Sequence, residues 1–240
     1  MISESLSYPR NDENWLKTVL IGGVLSFLGF LIVPTFLVVG YLLRVVRATM
    51  KGDEQPPVFD DWGDMAVDGV KGFAIAFVYS VLPLIIMSVF VGSAIIGIFA
   101  GGGSDTAGIF GGIVTLVGLL VSLVLGLLAA YVVPAALANY AETDRLGSAF
   151  DIGTLRPVLT SGKYATAWLT AFVVLFAVSV VLSLLNVIPL LGQLLSFVLG
   201  PFVGFYAAVA AYYIIGQTWG ELHEVEMMDE GETPGEQPAV

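Results

Sequence analysis

Cysteine is absent from the 240 residues, which removes disulfide and thiolate chemistry and leaves the redox compartment unread. Histidine occurs once, at His223 beside Glu224. A metal site needs further ligands at helical or turn spacing. Glu221 and Glu226 are too weak a set, so His223 is expected to be a solvated tail residue. Without a histidine in the apolar part of the chain, no Ser/His/Asp constellation can form there. Lysine and arginine together number 9 against 20 acids, for a net charge of −11. Nucleic-acid binding calls for basic patches, and that partner class is excluded. No charged residue of either sign lies deep inside any of the long apolar runs. Proton- or sodium-coupled transport thereby loses its usual buried carboxylate or lysine.

What is present is hydrophobicity. Apolar residues make up 57% of the chain and mean hydropathy is +0.91, above the roughly 45–50% apolar usage of soluble domains. A helix needs about 20 apolar residues to cross a hydrocarbon core of about 30 Å. Five segments qualify: residues 18–43, 72–100, 107–138, 164–188 and 194–217. They lack the alternation of a transmembrane barrel, and backbone in lipid must satisfy itself internally. The expected fold is therefore an all-α, polytopic transmembrane bundle of about five spans. Residues 1–17 form a polar, interfacial start, and 218–240 an acidic, disordered tail. The first apolar run is too long for a cleaved signal's core and is expected to be retained.

The tail from Glu221 onward holds seven acids and no Lys or Arg. With so few lysines overall, the acidic balance fits a cell with high internal salt, where carboxylates keep surfaces hydrated and salt screens them. All the basic residues sit in three places: Arg10 and Lys17; Arg44, Arg47, Lys51 and Lys71; Arg145, Arg156 and Lys163. Short basic loops favour the cytoplasm. That puts both longer loops and the tail inside, in a multi-pass protein of the cell membrane. Five spans would leave the N-terminus outside, where Arg10 and Lys17 are awkward. Pro34 removes a backbone donor, and segment 18–43 is expected as one span kinked there rather than as a re-entrant hairpin. Pro83, Pro134 and Pro201 are expected to kink the later helices.

The two longer loops end alike. Phe59-Asp60-Asp61-Trp62 precedes Lys71, and Phe150-Asp151 with Arg156-Pro157 precedes Lys163, each followed by a long apolar helix. Tyr8, Asp12, Trp15 and Lys17 make a looser third copy. Each is expected to be a short interfacial amphipathic helix with an aromatic anchor and a snorkelling lysine. Helix pairs follow, and their second members carry Pro134 with Tyr140 and Pro201 with Tyr206, echoed by Pro34 with Tyr41. This is an internal helix-pair repeat. Gly108/Gly112 and Gly200/Gly204 have the small-xxx-small spacing that lets helices approach. Asn186 reads as a helix-end hydrogen bond or interhelical glue rather than a polar contact in a pore. Asp64 and Asp68 share a helix face and are expected to be a solvated acidic surface.

From Gly40-Tyr41 through Arg44 and Arg47 to Pro57, Asp60-Asp61-Trp62, Gly69 and Lys71, the chain resembles the family known as domain of unknown function 4013. Tyr8-Pro9 and Trp15-Leu16-Lys17 look similar to that family's start. The likeness reaches about Gly220. It implies a polytopic membrane protein of a kind common in haloarchaea, and carries over no activity, cofactor or catalytic residue. The expected function is that of a non-enzymatic membrane component binding lipid or a partner protein at its cytoplasmic loops. Its candidate contacts are Arg44, Arg47, Phe59, Asp60, Asp61, Trp62, Lys71, Phe150, Asp151, Arg156 and Lys163, where basic groups meet phosphates and aromatics sit at the interface. The alternative is a permease for a neutral or apolar solute that uses the proline kinks.

Overall fold

The computed structural model describes residues 2–100 and 105–231. Among these the regular structure is helical: α1 (Ile2–Ser7), α2 (Trp15–Phe27), α3 (Ile32–Met50), α4 (Trp62–Ala100), α5 (Asp105–Thr143), α6 (Ile152–Thr160), α7 (Gly162–Leu185) and α8 (Leu191–Gly231). Five of these, namely α3, α4, α5, α7 and α8, are long and apolar enough to cross a membrane. The chain folds as two compact units, residues 1–73 with 135–240, and residues 74–134.

The first apolar segment is not one kinked span. It is broken at residues 28–31 into α2 and α3. As α2 advances, Gly22 abuts the ring of Phe205, Gly23 that of Phe202, and Phe27 meets Phe197 edge-on at 5.1 Å, so its partners on α8 fall in number. As α3 advances, Tyr41 meets Phe205 at 5.4 Å, then Val46 and Thr49 meet Gly216 and Met50 meets Gly220, so its partners rise. The two helices therefore run in opposite directions along α8 and form a hairpin. At 13 residues, α2 is about 20 Å long and falls short of a full crossing.

Pro34 lies in the first turn of α3, where the backbone N–H groups have no helical partner to lose. It marks a helix start and not a kink. The turn before it is closed by Thr35, whose hydroxyl donates to the Gly29 carbonyl at 2.9 Å. Pro83, Pro134 and Pro201 lie inside helices that continue through them.

The hairpin resolves the awkward charges. Tyr8 donates its hydroxyl to the Gln55 carbonyl at 3.2 Å, and the Asn11 amide donates to the Glu54 carbonyl at 2.9 Å. Tyr206 donates to the Leu6 carbonyl. These bonds hold the N-terminal segment beside the exit of α3, so Arg10 and Lys17 lie at the same end as Arg44, Arg47 and Lys51. Burial first, then the nearby Asp53 and Tyr213, raises the Tyr8 phenol well above its ordinary pKa, and it remains a neutral donor. Tags at the two termini are expected to be accessible from the same side of the membrane in vesicles of known orientation; opposite accessibility would sink the hairpin.

Other expectations shift as well. The Asp-Asp-Trp segment is not a separate interfacial helix, because Trp62 opens α4, which runs unbroken past Lys71. Its counterpart is separate: α6 is capped by Asp151, which accepts from Gly153 N, and Ser161 caps α7 by accepting from Tyr164 N. The tail is helical through Gly231 rather than disordered from 218, and 232–240 lie outside the described residues, as do residues 101–104. Gly112 and Gly204 face open space. Close backbone approach falls instead to Gly40 against the Met65 carbonyl, Gly69 against the Phe36 carbonyl, and Gly216 and Gly220 against α3.

In the second unit, a Cβ on Gly118 of α5 would strike Phe90 of α4. Apolar side chains such as Val89, Ile96, Ile113 and Leu123 are more than half exposed. Exposed aliphatic groups without a charge among them are what a helix presents to lipid.

Candidate functional site

The polar groups of the first unit converge at one end. Arg47, near the end of α3, ties three helices. It donates to Asp68 Oδ2 on α4 at 2.5 Å, to Asp144 Oδ1 just after α5 at 2.6 Å, and to the Ala141 carbonyl at 3.0 Å. The other oxygen of Asp68 accepts from the Tyr140 hydroxyl at 2.9 Å. Arg47 and Lys71 lie 5.8 and 5.9 Å from the centre of the Tyr140 ring, within cation–π reach. Asp68 is thus not a solvated acid. It is turned inward, while Asp64 is exposed.

One turn earlier, Arg44 holds the α3–α4 loop. It donates to the Asp60 carboxylate at 2.5 Å, the Asp60 carbonyl at 2.9 Å and the Asp61 carbonyl at 3.2 Å. Asp61 adopts a left-handed backbone, φ 41°, which costs energy for a residue with a Cβ and is held by the guanidinium and by its carbonyl's bond to Met65 N. Below the loop stands an aromatic column. Tyr41 stacks on Phe59 at 4.3 Å, and Phe59 stacks on Trp62 at 5.7 Å. Tyr41 is fully buried and donates to the Pro57 carbonyl at 2.9 Å, whereas Trp62 is 44% exposed. The column carries core order out to one presented indole.

The second loop is built differently. Asp151 spends both oxygens on α6, accepting from Gly153 N and from the Thr154 hydroxyl, each at 2.9 Å. Lys163 pairs with Glu221 at 2.8 Å. Phe150 and Arg156 are exposed. Trp219, buried in α8, donates its indole N–H to Glu142 at 2.8 Å and stacks on His223 at 4.6 Å. His223 is therefore packed against Trp219 and not a freely solvated tail residue. Clefts of about 360, 410 and 520 Å³ open around this network, the first lined by Arg47, Lys51, Glu142, Trp219 and His223 among others.

The structure brings Arg44, Phe59, Asp60, Asp61 and Trp62 into one cluster and Arg47 with Lys71 into the neighbouring one. Phe150, Asp151 and Arg156 belong to the α5–α7 connection, and Lys163 to the first turn of α7. Of the three arginines expected to meet headgroup phosphates, Arg44 and Arg47 spend their charge inside the protein, while Arg156 is exposed. Sequence reasoning missed Tyr140, Asp144, Glu142 and Trp219 as partners. Tyr140 had been visible as the tyrosine following a helix proline, and it shares its role with Tyr41 and Tyr206: each donates its hydroxyl to the segment at this end.

A helical chain with five membrane-length apolar helices, and with the charged groups of its first unit gathered at one end, is an all-α, multi-pass membrane protein. A family model described as a protein of unknown function, DUF4013, matches residues 27–187, and the chain belongs to that family. The match includes the Gly40-Tyr41 exit and the Asp60-Asp61-Trp62 segment, and leaves Tyr8-Pro9 and all of α8 outside. No curated protein and no solved structure matches the chain.

Proposed function

We propose that the protein is a non-enzymatic component of the cell membrane that binds a partner protein or lipid at its charged end, with the basic loops and the C-terminal tail in the cytoplasm. The observation that carries this reading is the Tyr41–Phe59–Trp62 column locked by Arg44. A rigid, half-exposed tryptophan rimmed by the exposed acids Asp60, Asp61 and Asp64 has the form of an interface anchor, and the acids suit a partner with basic groups. The cytoplasmic assignment rests on the basic residues of the loops. A photo-crosslinking residue at position 62 is expected to give a discrete protein adduct in native membranes, absent when the same residue replaces Leu123. Lipid adducts alone at both positions would refute a protein partner at Trp62.

A second reading, transport of a neutral or apolar solute, is favoured by the broken α2–α3 hairpin, since transporter sites form where helices are interrupted in the membrane. Single cysteines at Phe30 and Thr35 decide it, on a background with no native thiol. Labelling by water-soluble maleimide would bring transport forward, and protection at both is the expected result.

A further inference from the structure

We infer that the α5–α7 connection is a binding site for anionic membrane lipid, with Arg145 and Arg156 taking the headgroup phosphate and Leu146, Phe150 and Ile152 entering the acyl boundary. This inference rests on the membrane placement above and is independent of partner docking at Trp62. The argument begins with where the charges go. Every acid described near this segment already has a protein partner: Asp144 accepts from Arg47, Asp151 caps α6, Glu142 accepts from Trp219, and Glu221 pairs with Lys163. Among the described residues, neither Arg145 nor Arg156 makes an ion pair or a side-chain hydrogen bond. In a chain of net charge −11, two exposed guanidiniums are left over on one short segment.

The apolar side chains come next. Leu146 is 44% exposed, Phe150 41% and Ile152 75%, although they flank residues that are firmly anchored. Ser148 and Ala149 are buried, with the Asn139 amide donating to the Ser148 carbonyl at 2.8 Å and the Thr143 hydroxyl donating to Ser148 Oγ at 2.6 Å. Leu155 and Val158 fix the inner side of α6. The segment is thus held by its small and inner residues while Leu146, Phe150 and above all Ile152 keep apolar surface exposed. Exposed apolar groups interleaved with unpaired cations are the signature of an element lying in the headgroup layer of an anionic leaflet. A protein partner would be served by the apolar groups equally well, but it is the unspent positive charge that selects a phosphate.

The test uses the full chain in detergent, read by thermal unfolding during titration with dioleoyl phosphatidylglycerol or dioleoyl phosphatidylcholine. The anionic lipid is expected to raise the Tm of the wild type more than the zwitterionic one does. The double variant R145Q/R156Q is expected to bind the anionic lipid roughly thirtyfold more weakly, at about 1 kcal/mol for each cation near the surface, with its Tm in phosphatidylcholine unchanged. R145K/R156K keeps the charge and is expected to retain most of the preference, which covers the case in which the glutamine variant folds poorly. Equal shifts from both lipids in the wild type, or a preference that survives R145Q/R156Q, would overturn the site. An equal shift from soluble glycerol phosphate would overturn the lipid as its source. The Trp62 crosslink is expected to survive R145Q/R156Q, which separates this result from the fate of the partner reading.

Discussion

Replacing Arg47 with alanine is expected to lower stability by about 2–3 kcal/mol, near the lower end of what removing one partner of a buried ion pair costs. Thermal unfolding in detergent is expected to show this as a fall of roughly 5–10 °C. The magnitude follows from what is stranded. Arg47 and Asp68 are only 21% and 18% exposed, so the carboxylate of Asp68 keeps the Tyr140 hydroxyl and loses the cation it is paired with. Asp144, at 73% exposure, returns to water at little cost, which keeps the effect below the full value for a buried network. Lysine at this position is expected to recover only part of the loss, because one ammonium cannot reproduce a planar fork aimed at two carboxylates and the Ala141 carbonyl. In a double-mutant cycle, R47A and D68A together are expected to destabilise less than the sum of the two, since the second change removes the stranded charge. An R47A protein within about 0.5 kcal/mol of wild type, or strict additivity in the cycle, would mean that the network does not hold the helices.

The long helices were legible because hydrophobicity is local. Each of α4, α5, α7 and α8 announces itself by more than 20 apolar residues without a charge, and nothing distant has to be known. The hairpin was not legible for the same reason. The break at 28–31 falls in Leu28-Gly29-Phe30-Leu31, which is as apolar as the helices around it, so no polar turn interrupts the run. What distinguishes α2 from a continuous span is the facing of Gly22 and Gly23 to Phe205 and Phe202, about 180 residues away. The basic residues did carry the answer. Arg10 and Lys17 were out of place with one span, and an added helix pass brings them to the same end as the others.

The candidate site divides along the same line. Trp62, Phe59 and Asp60 were found because they cluster in sequence, and the structure stacks the two rings and holds the acid with Arg44. Asp68 looked like half of a solvated acidic face, since spacing of four along α4 places it beside Asp64. Only the approach of α3 and α5 turns it inward. Arg44 and Arg47 were assigned to headgroups by their position at a helix exit. Their partners, Asp60 and Asp144, lie 16 and 97 residues further along, and a single sequence does not reveal a pairing at the longer of those distances. Arg145 and Arg156 are left unspent because the acids near them are already bonded, a property that emerges only once those bonds are known.

Gly69→Ala is expected to destabilise the protein by about 3 kcal/mol or more, at or beyond the usual upper end for overpacking. A Cβ at Gly69 would sit against the Phe36 carbonyl, and one at Gly40 against the Met65 carbonyl. These are backbone atoms of the facing helix, so no rotamer change relieves the clash; α3 and α4 must separate. Gly72 makes the instructive contrast. Its Cβ would meet the side chains of Leu43 and Val39 at 2.8 and 2.9 Å, which can turn aside, and G72A is expected to be milder. G204A is expected to lie within about 0.5 kcal/mol of wild type, because no atom lies within 4 Å of a Cβ there. The ranking G69A, then G72A, then G204A in thermal unfolding is the measurement, and a G69A protein as stable as G204A would refute the close approach of α3 to α4. The same approach brings Arg47 to Asp68. The coupling energy between those two residues is therefore expected to shrink in the G69A background, whereas in the G204A background it is expected to stay at its wild-type value.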